Sequence, residues 1–380
     1  MKLLHTSDWH LGMTFPGGSY LEDQRFAVGQ ICRIAREENA DGMIIAGDVF
    51  DKSVASAEAH GLYDELLTHI CGELGIPVYM IAGNHDSPER LAQLEGLLKK
   101  SGLYIAGSLR SEPYTVSSGD TDIYLLPWIS TDRVKSVYPD TAGSVESLED
   151  AYRAVLDKYR ESFSPGRKRV LVAHAYIVDG ETSESDRAAE LGGAATVGAG
   201  VFEGFDYVAL GHLHGPQQIS ERIRYSGTFM PYSFGREEKQ VKSVTLIDTD
   251  TGQQKIVPVP LLHKRATLTG TREELLRGDM DEDIRRGYVR LDVTDSYAGA
   301  ELISRFREIY ENPLETVGKS LEAEGSRVTM TAAEYENAAG DPESVFVRFC
   351  RDIMGREPEE RWTELFGAAL KEYEKEETEQ

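Results

Sequence analysis

The chain of 380 residues is poor in cysteine, in tryptophan and in positive charge. Its three cysteines, Cys32, Cys71 and Cys350, are widely separated and odd in number. They form no CxxC pair and no disulfide framework, which suits a reducing compartment, and they read as small buried hydrophobes. No apolar run approaches the ~18 residues of a membrane helix. Met1-Lys2-Leu3-Leu4-His5 turns polar too early for a signal peptide, so the expectation is a cytoplasmic protein with no membrane contact. Basic residues are outnumbered, 41 Lys+Arg against 65 Asp+Glu, for a formal net charge of −24. A protein that grips duplex DNA unaided shows the opposite balance. Either nucleic acid is not the substrate, or cations and a partner subunit supply the positive field. Taken by itself, the acidity also fits plain solubility.

What is present is enough apolar material, 40% of residues, to build real cores. At about 150 residues per domain the length suits two or three domains. Up to about residue 265, short apolar runs alternate with helical stripes, the pattern of an α/β layered domain. The runs are 2–7, 42–46, 77–82, 123–127, 170–173, 207–210 and 244–248, several apolar throughout, as in strands covered on both faces. Leu62, Leu66, Leu67, Ile70 and Leu74 recur at helical spacing, as do Leu91, Leu94, Leu97 and Leu98 behind an expected N-cap at Ser87-Pro88. Beyond residue 265, a strand over 287–294, a helix over 300–311 and a second strand over 314–320 predict a small α/β lobe, 266–335. The polar stretch 322–341 reads as a linker. A helical tail, 336–380, carries Val345, Phe346, Phe349, Met354, Trp362, Leu365, Phe366 and Leu370, and its last nine residues are mostly charged.

The polar residues that carry chemistry sit where the apolar runs end. Run 2–7 ends in Asp8-Trp9-His10, run 42–46 in Gly47-Asp48-Val49-Phe50-Asp51, and run 77–82 in Gly83-Asn84-His85-Asp86. Run 170–173 ends in His174 and run 207–210 in Gly211-His212-Leu213-His214. Strand carboxyl ends form the ligand crevice of open α/β sheets, so these groups are expected to converge. Carboxylate, imidazole and carboxamide without thiolate suit Mn²⁺, Fe²⁺ or Zn²⁺. Seven candidate ligands exceed one coordination sphere and match two ions ~3.5–4 Å apart sharing a carboxylate.

In this order the five motifs resemble the signature of calcineurin-like metallophosphoesterases. The flanking strings, Leu4-His5-Thr6-Ser7 before Asp8 and Tyr225-Ser226-Gly227 with Tyr232-Ser233-Phe234, are similar to the DNA nucleases of that family that work with a coiled-coil ATPase. The resemblance spans 1–265 and departs from the usual pattern at Gly215, at Thr228-Phe229 and at Gly235-Arg236-Glu237. It implies a four-layer αββα metallophosphoesterase sandwich, then the small α/β cap lobe and the C-terminal helical tail. It implies that Asp8, His10 and His214 bind a first ion, that Asp48 bridges, and that Asn84, His174 and His212 bind a second. It assigns His85 to the scissile phosphate and leaving oxygen, with Asp86 orienting its ring; a carboxylate beside an imidazole raises its pKa toward working pH. Asp51 is given a supporting or phosphate-contact role, and a capping carboxylate is an equal alternative. The cofactor implied is two divalent ions, Mn²⁺ foremost and Mg²⁺, Fe²⁺ or Zn²⁺ as alternatives.

The activity implied is double-strand 3′→5′ exonuclease and hairpin endonuclease action on DNA in repair and recombination. The partners implied are DNA, a coiled-coil ATPase and a second copy of the chain, held through helices near 55–74 and 88–100 within a heterotetramer. Two phosphate-loop near-matches fail, because Pro313 occupies the first glycine position before Gly318-Lys319-Ser320 and Ala199 replaces lysine after Gly193–Gly198. No ATP site is therefore expected in this chain. Two other readings stay open: a stand-alone phosphomonoesterase or cyclic-nucleotide phosphodiesterase with the same ions, and a non-catalytic scaffold subunit. Trp9, between two candidate ligands, reads as packing beneath the site. His5, His60, His69 and His263 have no partner motif and read as core or surface residues.

Overall fold

The computed structural model describes residues 1–318 except 179, 184 and 187–195, and beyond them 346, 347, 350, 358, 361–368 and 370. The stretch 322–341, Val345, Phe349, Met354, the last ten residues, and parts of both near-motifs (193–195, 319–320) lie outside the described residues. The chain forms two compact units, Met1–Thr267 with Glu282–Tyr288, and Leu268–Asp281 with Val289–Gln380.

Two six-stranded sheets make the first unit. One takes β1 (Lys2–Thr6), β2 (Gly42–Ala46), β3 (Val78–Ile81) and β4 (Leu103–Ala106) in parallel. The other is built from β5 (Thr115–Ser118), β6 (Thr121–Leu125), β7 (Lys168–His174), β8 (Tyr207–Gly211), β9 (Gln217–Gln218) and β10 (Ile223–Tyr225). Strands β11 (Ser243–Asp248) and β12 (Gln254–Pro258) return to the first sheet, β11 antiparallel to β1. The orders are β12-β11-β1-β2-β3-β4 and β9-β10-β8-β7-β6-β5. In the second sheet β6, β7, β8 and β10 run parallel, and β5 and β9 close its edges antiparallel.

The continuous apolar runs resolve into two alternating faces. Leu3, Ile44, Ala46, Tyr79 and Ile81 of the first sheet meet Ile123, Leu125, Val170, Val172, Tyr207 and Ala209 of the second in one core. The intervening residues Tyr124, Leu171, Ala173, Val208 and Leu210 pack instead with Ala151, Tyr152, Val155, Leu156 and Tyr159. These last lie on the helix Leu148–Glu161, which starts in a capping box of Ser147 and Asp150. On the first sheet Leu4, Met43, Ile45 and Met80 are equally buried. Helices α1 (Leu21–Glu37) and α2 (Ala57–Leu67) occupy the crossovers between its parallel strands. The layering is helix, sheet, sheet, helix, the α/β sandwich expected from the sequence.

Helix α2 keeps Leu62, Leu66 and Leu67 buried and passes into a wider π turn over Thr68–Glu73 that buries Ile70. The stripe from Leu91 does not make one helix. It breaks at Leu94, where φ is 62°, into Pro88–Leu91 and Glu95–Leu98, and the Ser87 side chain makes no cap. The second turn sets Glu95 against Tyr114 Oη (2.5 Å) and Arg110 (2.9 Å), tertiary bonds that outrank local helix propensity. Leu94 and Leu97 are thereby left 63% and 62% exposed. Of the cysteines, Cys32 and Cys350 are buried but Cys71 is only half-buried, at the end of the α2 segment.

The second unit holds most of a three-stranded sheet, whose strands are Arg265–Gly270, Tyr288–Val293 and Asn312–Val317, with helices Arg272–Arg277 and Ala300–Phe306. Its core is Leu275, Val289, Leu291, Val293, Leu302, Phe306 and Tyr310. In the tail Phe346 and Phe366 stack at 4.4 Å. No helix among the described residues is long and apolar enough to cross a membrane.

Because both faces of β2 are covered, Ile44→Ala and Ile45→Ala should each cost about 2–5 kcal/mol, measured as the urea midpoint at unchanged m. A sheet with one wet face would spare one of the two.

Candidate metal centre

The groups singled out by sequence meet at the carboxyl ends of the parallel strands. Asp8 and His10 follow β1, Asp48 follows β2 and Asn84 follows β3, while His174 ends β7 and His212 follows β8. The loops are stitched to one another. The amides of Asp8 and His10 donate to Gly47 O and Asp48 O (3.0 and 2.9 Å). The amide of His212 donates to Asp8 Oδ1 and that of His85 to Asp48 Oδ1, both at 2.9 Å. The turns are strained: φ is 51° at Asp8, 45° at His10, 50° at Asp48 and 109° at His212. Such conformations cost about 1–3 kcal/mol each and persist where the surroundings over-determine them. Glycine is required where strand ends nearly touch. A Cβ at Gly83 would lie 2.1 Å from Asp48 Oδ1, and one at Gly211 1.9 Å from Ala46 O.

Two donor clusters share this crevice. Oxygen and nitrogen atoms of Asp8, His10 and His214 lie within 4.8 Å of one another, as do those of Asp8, Asp48 and His174. His10 Nε2 and His214 Nε2 face each other at 3.1 Å. Asp48 Oδ2 lies 3.4 Å from His174 Nε2 and 3.9 Å from His10 Nε2, between the clusters. Asn84 Oδ1 is 2.8 Å from His174 Nε2 and 3.2 Å from His212 Nδ1. Asp8 Oδ2 is fully buried and finds no hydrogen-bond donor among the described residues. A buried carboxylate oxygen without a donor, facing ring nitrogens that converge on the same space, fits divalent cations of intermediate hardness. His174 Nδ1 bonds the Ala46 carbonyl (2.8 Å), which fixes its proton on that side and turns Nε2 inward.

The electrostatics follow from burial and neighbours. Burial opposes ionisation of Asp48, but the His174 charge and its hydrogen bond outweigh it and hold the carboxyl well below its usual range. Burial likewise disfavours a charged His174, yet the Asp48 carboxylate lifts its pKa to about 9. His214 also rises to about 9, against burial, through Glu237 and Asp186. Burial and then the adjacent cationic rings push His10 well down and His212 to about 3.

His85 and Asp51 lie beside this crevice, where His10, Asp51 and His85 form a third cluster. Asp86, expected to orient His85, does something else. Its carboxylate accepts the amides of Gly83 (2.9 Å), Phe50 (2.9 Å) and Val49 (3.1 Å), so it pins the loops after β2 and β3. The His85 ring is held by the Asp51 backbone carbonyl, 2.8 Å from Nδ1, which leaves Nε2 facing Asp48 Oδ2 at 3.9 Å. The Asp86 carboxylate is turned toward the loop amides, and the ring nitrogen it was expected to hold is taken by a carbonyl instead. Trp9 is wholly buried, bonded through Nε1 to Thr6 Oγ1 (3.1 Å), and packs edge-on against Phe229. Sequence reasoning missed Trp128, whose indole stacks on His212 with centroids 6.1 Å apart and planes 13° off parallel. It also missed Ser185, Asp186 and Lys242 around His214. No spacing marks them; the departure at Gly235-Arg236-Glu237 is the nearest signal.

The sequence profile of calcineurin-like phosphoesterases matches residues 1–216, and the chain belongs to that family. It is therefore a hydrolase of phosphate esters with a site built for two metal ions. Within the family it is similar to the D subunit of the SbcCD nuclease of Staphylococcus epidermidis, 31% identical over 318 residues, 83% of this chain and 84% of that protein. The corresponding SbcCD nuclease subunit of Staphylococcus saprophyticus is 29% identical over 361 residues, 93% of this chain and 94% of that one. A solved structure, TT1561 of Thermus thermophilus, overlaps 68% of this chain and 99% of that one with a TM-score of 0.37 at 12% identity.

Both raised imidazoles must lose their protons to bind a cation. In the protein alone they favour the folded state most below pH 6.5, their ordinary value, and that contribution fades as pH rises through about 9. A cation meets less competition as those protons leave. The thermal stabilisation given by Mn²⁺ or Zn²⁺ should therefore grow from pH 6.5 to pH 9, measured as the metal-induced shift in Tm at each pH.

Proposed function

We propose that this chain is the nuclease subunit of a DNA-processing complex, a dimetal phosphodiesterase that uses Mn²⁺ and works with an SbcC-like coiled-coil ATPase in the cytoplasm. The observation that carries the reading is the convergence of seven oxygen and nitrogen donors from five strand ends, with Asp48 Oδ2 between His174 and His10. Both staphylococcal relatives are named as nuclease subunits, which adds support for a nucleic acid as substrate.

In this reading Asp8, His10 and His214 hold one ion, Asn84, His174 and His212 the other, and Asp48 both. Bound there, the ions polarise the phosphate and supply a nucleophile at neutral pH. The protein's own residues do the rest. His85 donates Nδ1–H to the Asp51 carbonyl. Its Nε2 faces the crevice, 3.9 Å from Asp48 Oδ2. From that atom the ring would hand a proton to the leaving oxygen. Asp86 acts on the loops and not on the ring, and Asp51 contributes its carbonyl.

We assign residues 1–265 to the phosphoesterase domain, 266–335 to a capping domain and 336–380 to a partner-docking tail. ATP is left to the partner. The exposed Leu94 and Leu97, together with α2, are the surface proposed for a second copy. Double-strand 3′→5′ exonuclease action and hairpin opening are the proposed activities.

The purified chain with Mn²⁺ should cleave a linear duplex and a hairpin-ended DNA. His85→Ala should lower the rate 10²–10⁴-fold while still binding two ions by titration calorimetry. Turnover of nucleotide monophosphates with intact DNA would favour the small-molecule phosphoesterase instead. Full activity in His85→Ala would remove the assigned proton donor.

A further inference from the structure

Behind His214, on the side away from His10, lies a buried polar cluster that the mechanism does not use. Glu237 and Lys242 are 0% and 2% exposed. Burying an acid and an ammonium is costly unless both are paired and hydrogen-bonded, so their presence needs a reason. Their side chains sit 3.7 Å apart. Glu237 Oε2 accepts the amides of Tyr232 (2.6 Å) and Ser233 (3.2 Å). Oε1 accepts the hydroxyls of Ser183 (3.0 Å) and Ser185 (2.6 Å). Lys242 Nζ donates to the carbonyl of His214 (2.9 Å) and to Thr228 Oγ1 (2.8 Å).

Every group of His214 outside its metal-facing nitrogen is held by this cluster. Its amide donates to Asp186 Oδ1 (3.1 Å), and its carbonyl accepts from Lys242. Its Nδ1 lies 2.5 Å from Ser185 Oγ and 3.3 Å from Glu237 Oε1. The directions are forced. The Glu237 carboxylate only accepts, so the Ser185 hydroxyl points its hydrogen at Glu237 and offers a lone pair to His214. Nδ1 must then carry the proton, which leaves the Nε2 lone pair directed at the space shared with His10 Nε2, 3.1 Å away.

We infer that Ser185, Glu237 and Lys242 are positioning residues for one of the two metal sites, a relay that fixes the tautomer and orientation of His214. The inference rests on the dimetal reading above. Glu237, in the segment Gly235-Arg236-Glu237 where the sequence departs from the usual pattern, lies beside the imidazole and ties Ser183 and Ser185 to it. The second ion's ligands have a different support, the Ala46 carbonyl for His174 and Trp128 for His212, so the relay acts on one ion of the two.

The test is calorimetric titration of Mn²⁺ into the full-length chain, with NMR of the Zn²⁺-loaded protein. Wild type should take up two ions. The charge-neutral variant Glu237→Gln/Lys242→Met should bind one ion with unchanged affinity and the other 10–100-fold more weakly, the range found when the groups supporting metal-bound histidines are removed. Ser185→Ala should weaken the same ion, and Ser185→Thr, which restores the hydroxyl, should recover it. In NMR the protected Nδ1–H signal of His214 should be present in wild type and lost in Ser185→Ala. Equal weakening of both ions, or unchanged affinity for both in folded Ser185→Ala, would overturn the relay and leave the dimetal reading standing. Uptake of fewer than two ions by wild type would overturn both.

Discussion

The structure depends on a carboxylate placed where a carboxylate is hard to keep. Asp48 is almost wholly buried at the meeting point of two sheets and is held ionised by the imidazoles around it. A lone buried charge would be expelled or neutralised. Here it is retained because the ends of β1, β3 and β7 bring the His10, His85 and His174 rings to the same spot, and the turns beside it are tied to one another by backbone amides. The glycines at 83 and 211 have the same origin: where backbones carry ligands this close, there is no volume for a side chain.

The two-sheet sandwich is the device that makes the convergence possible. A parallel sheet presents all its carboxyl ends on one edge, and two such sheets packed face to face bring two edges together. The first sheet supplies Asp8, His10, Asp48 and Asn84, and the second supplies His174, His212 and His214. Neither set is complete without the other. Cations held between them would offset the repulsion that the chain's net charge of −24 presents to a phosphate.

Much of this was legible in the sequence because strands covered on both faces leave continuous apolar runs, and a polar residue just past such a run has few reasons to be there. All seven runs proved to be strands within a residue or two at most ends, and the candidate ligands gather in one crevice. What could not be read was whatever depends on tertiary partners. Leu91, Leu94, Leu97 and Leu98 have helical spacing, but the chain turns left-handed at Leu94 and the new turn sets the Glu95 side chain on Tyr114 and Arg110. Asp86 neighbours His85 in sequence, yet its oxygens are taken by three amides. β4, β5, β10 and β12 carry too little pattern to stand out: β4 and β10 are only four and three residues long, and β5 and β12 lie at sheet edges where half-exposed residues blur the alternation. The support of His214 is assembled from two separate loops, so no local signal could reveal it.

The spread of the donor residues along the chain, from Asp8 to His214, bears on how the protein is made. No partial product of synthesis shorter than about 214 residues holds the full set, and the contacts concerned are among the most distant in the first unit. Such long-range closures are slow steps. The full donor set is thus completed late, only after β8 has docked.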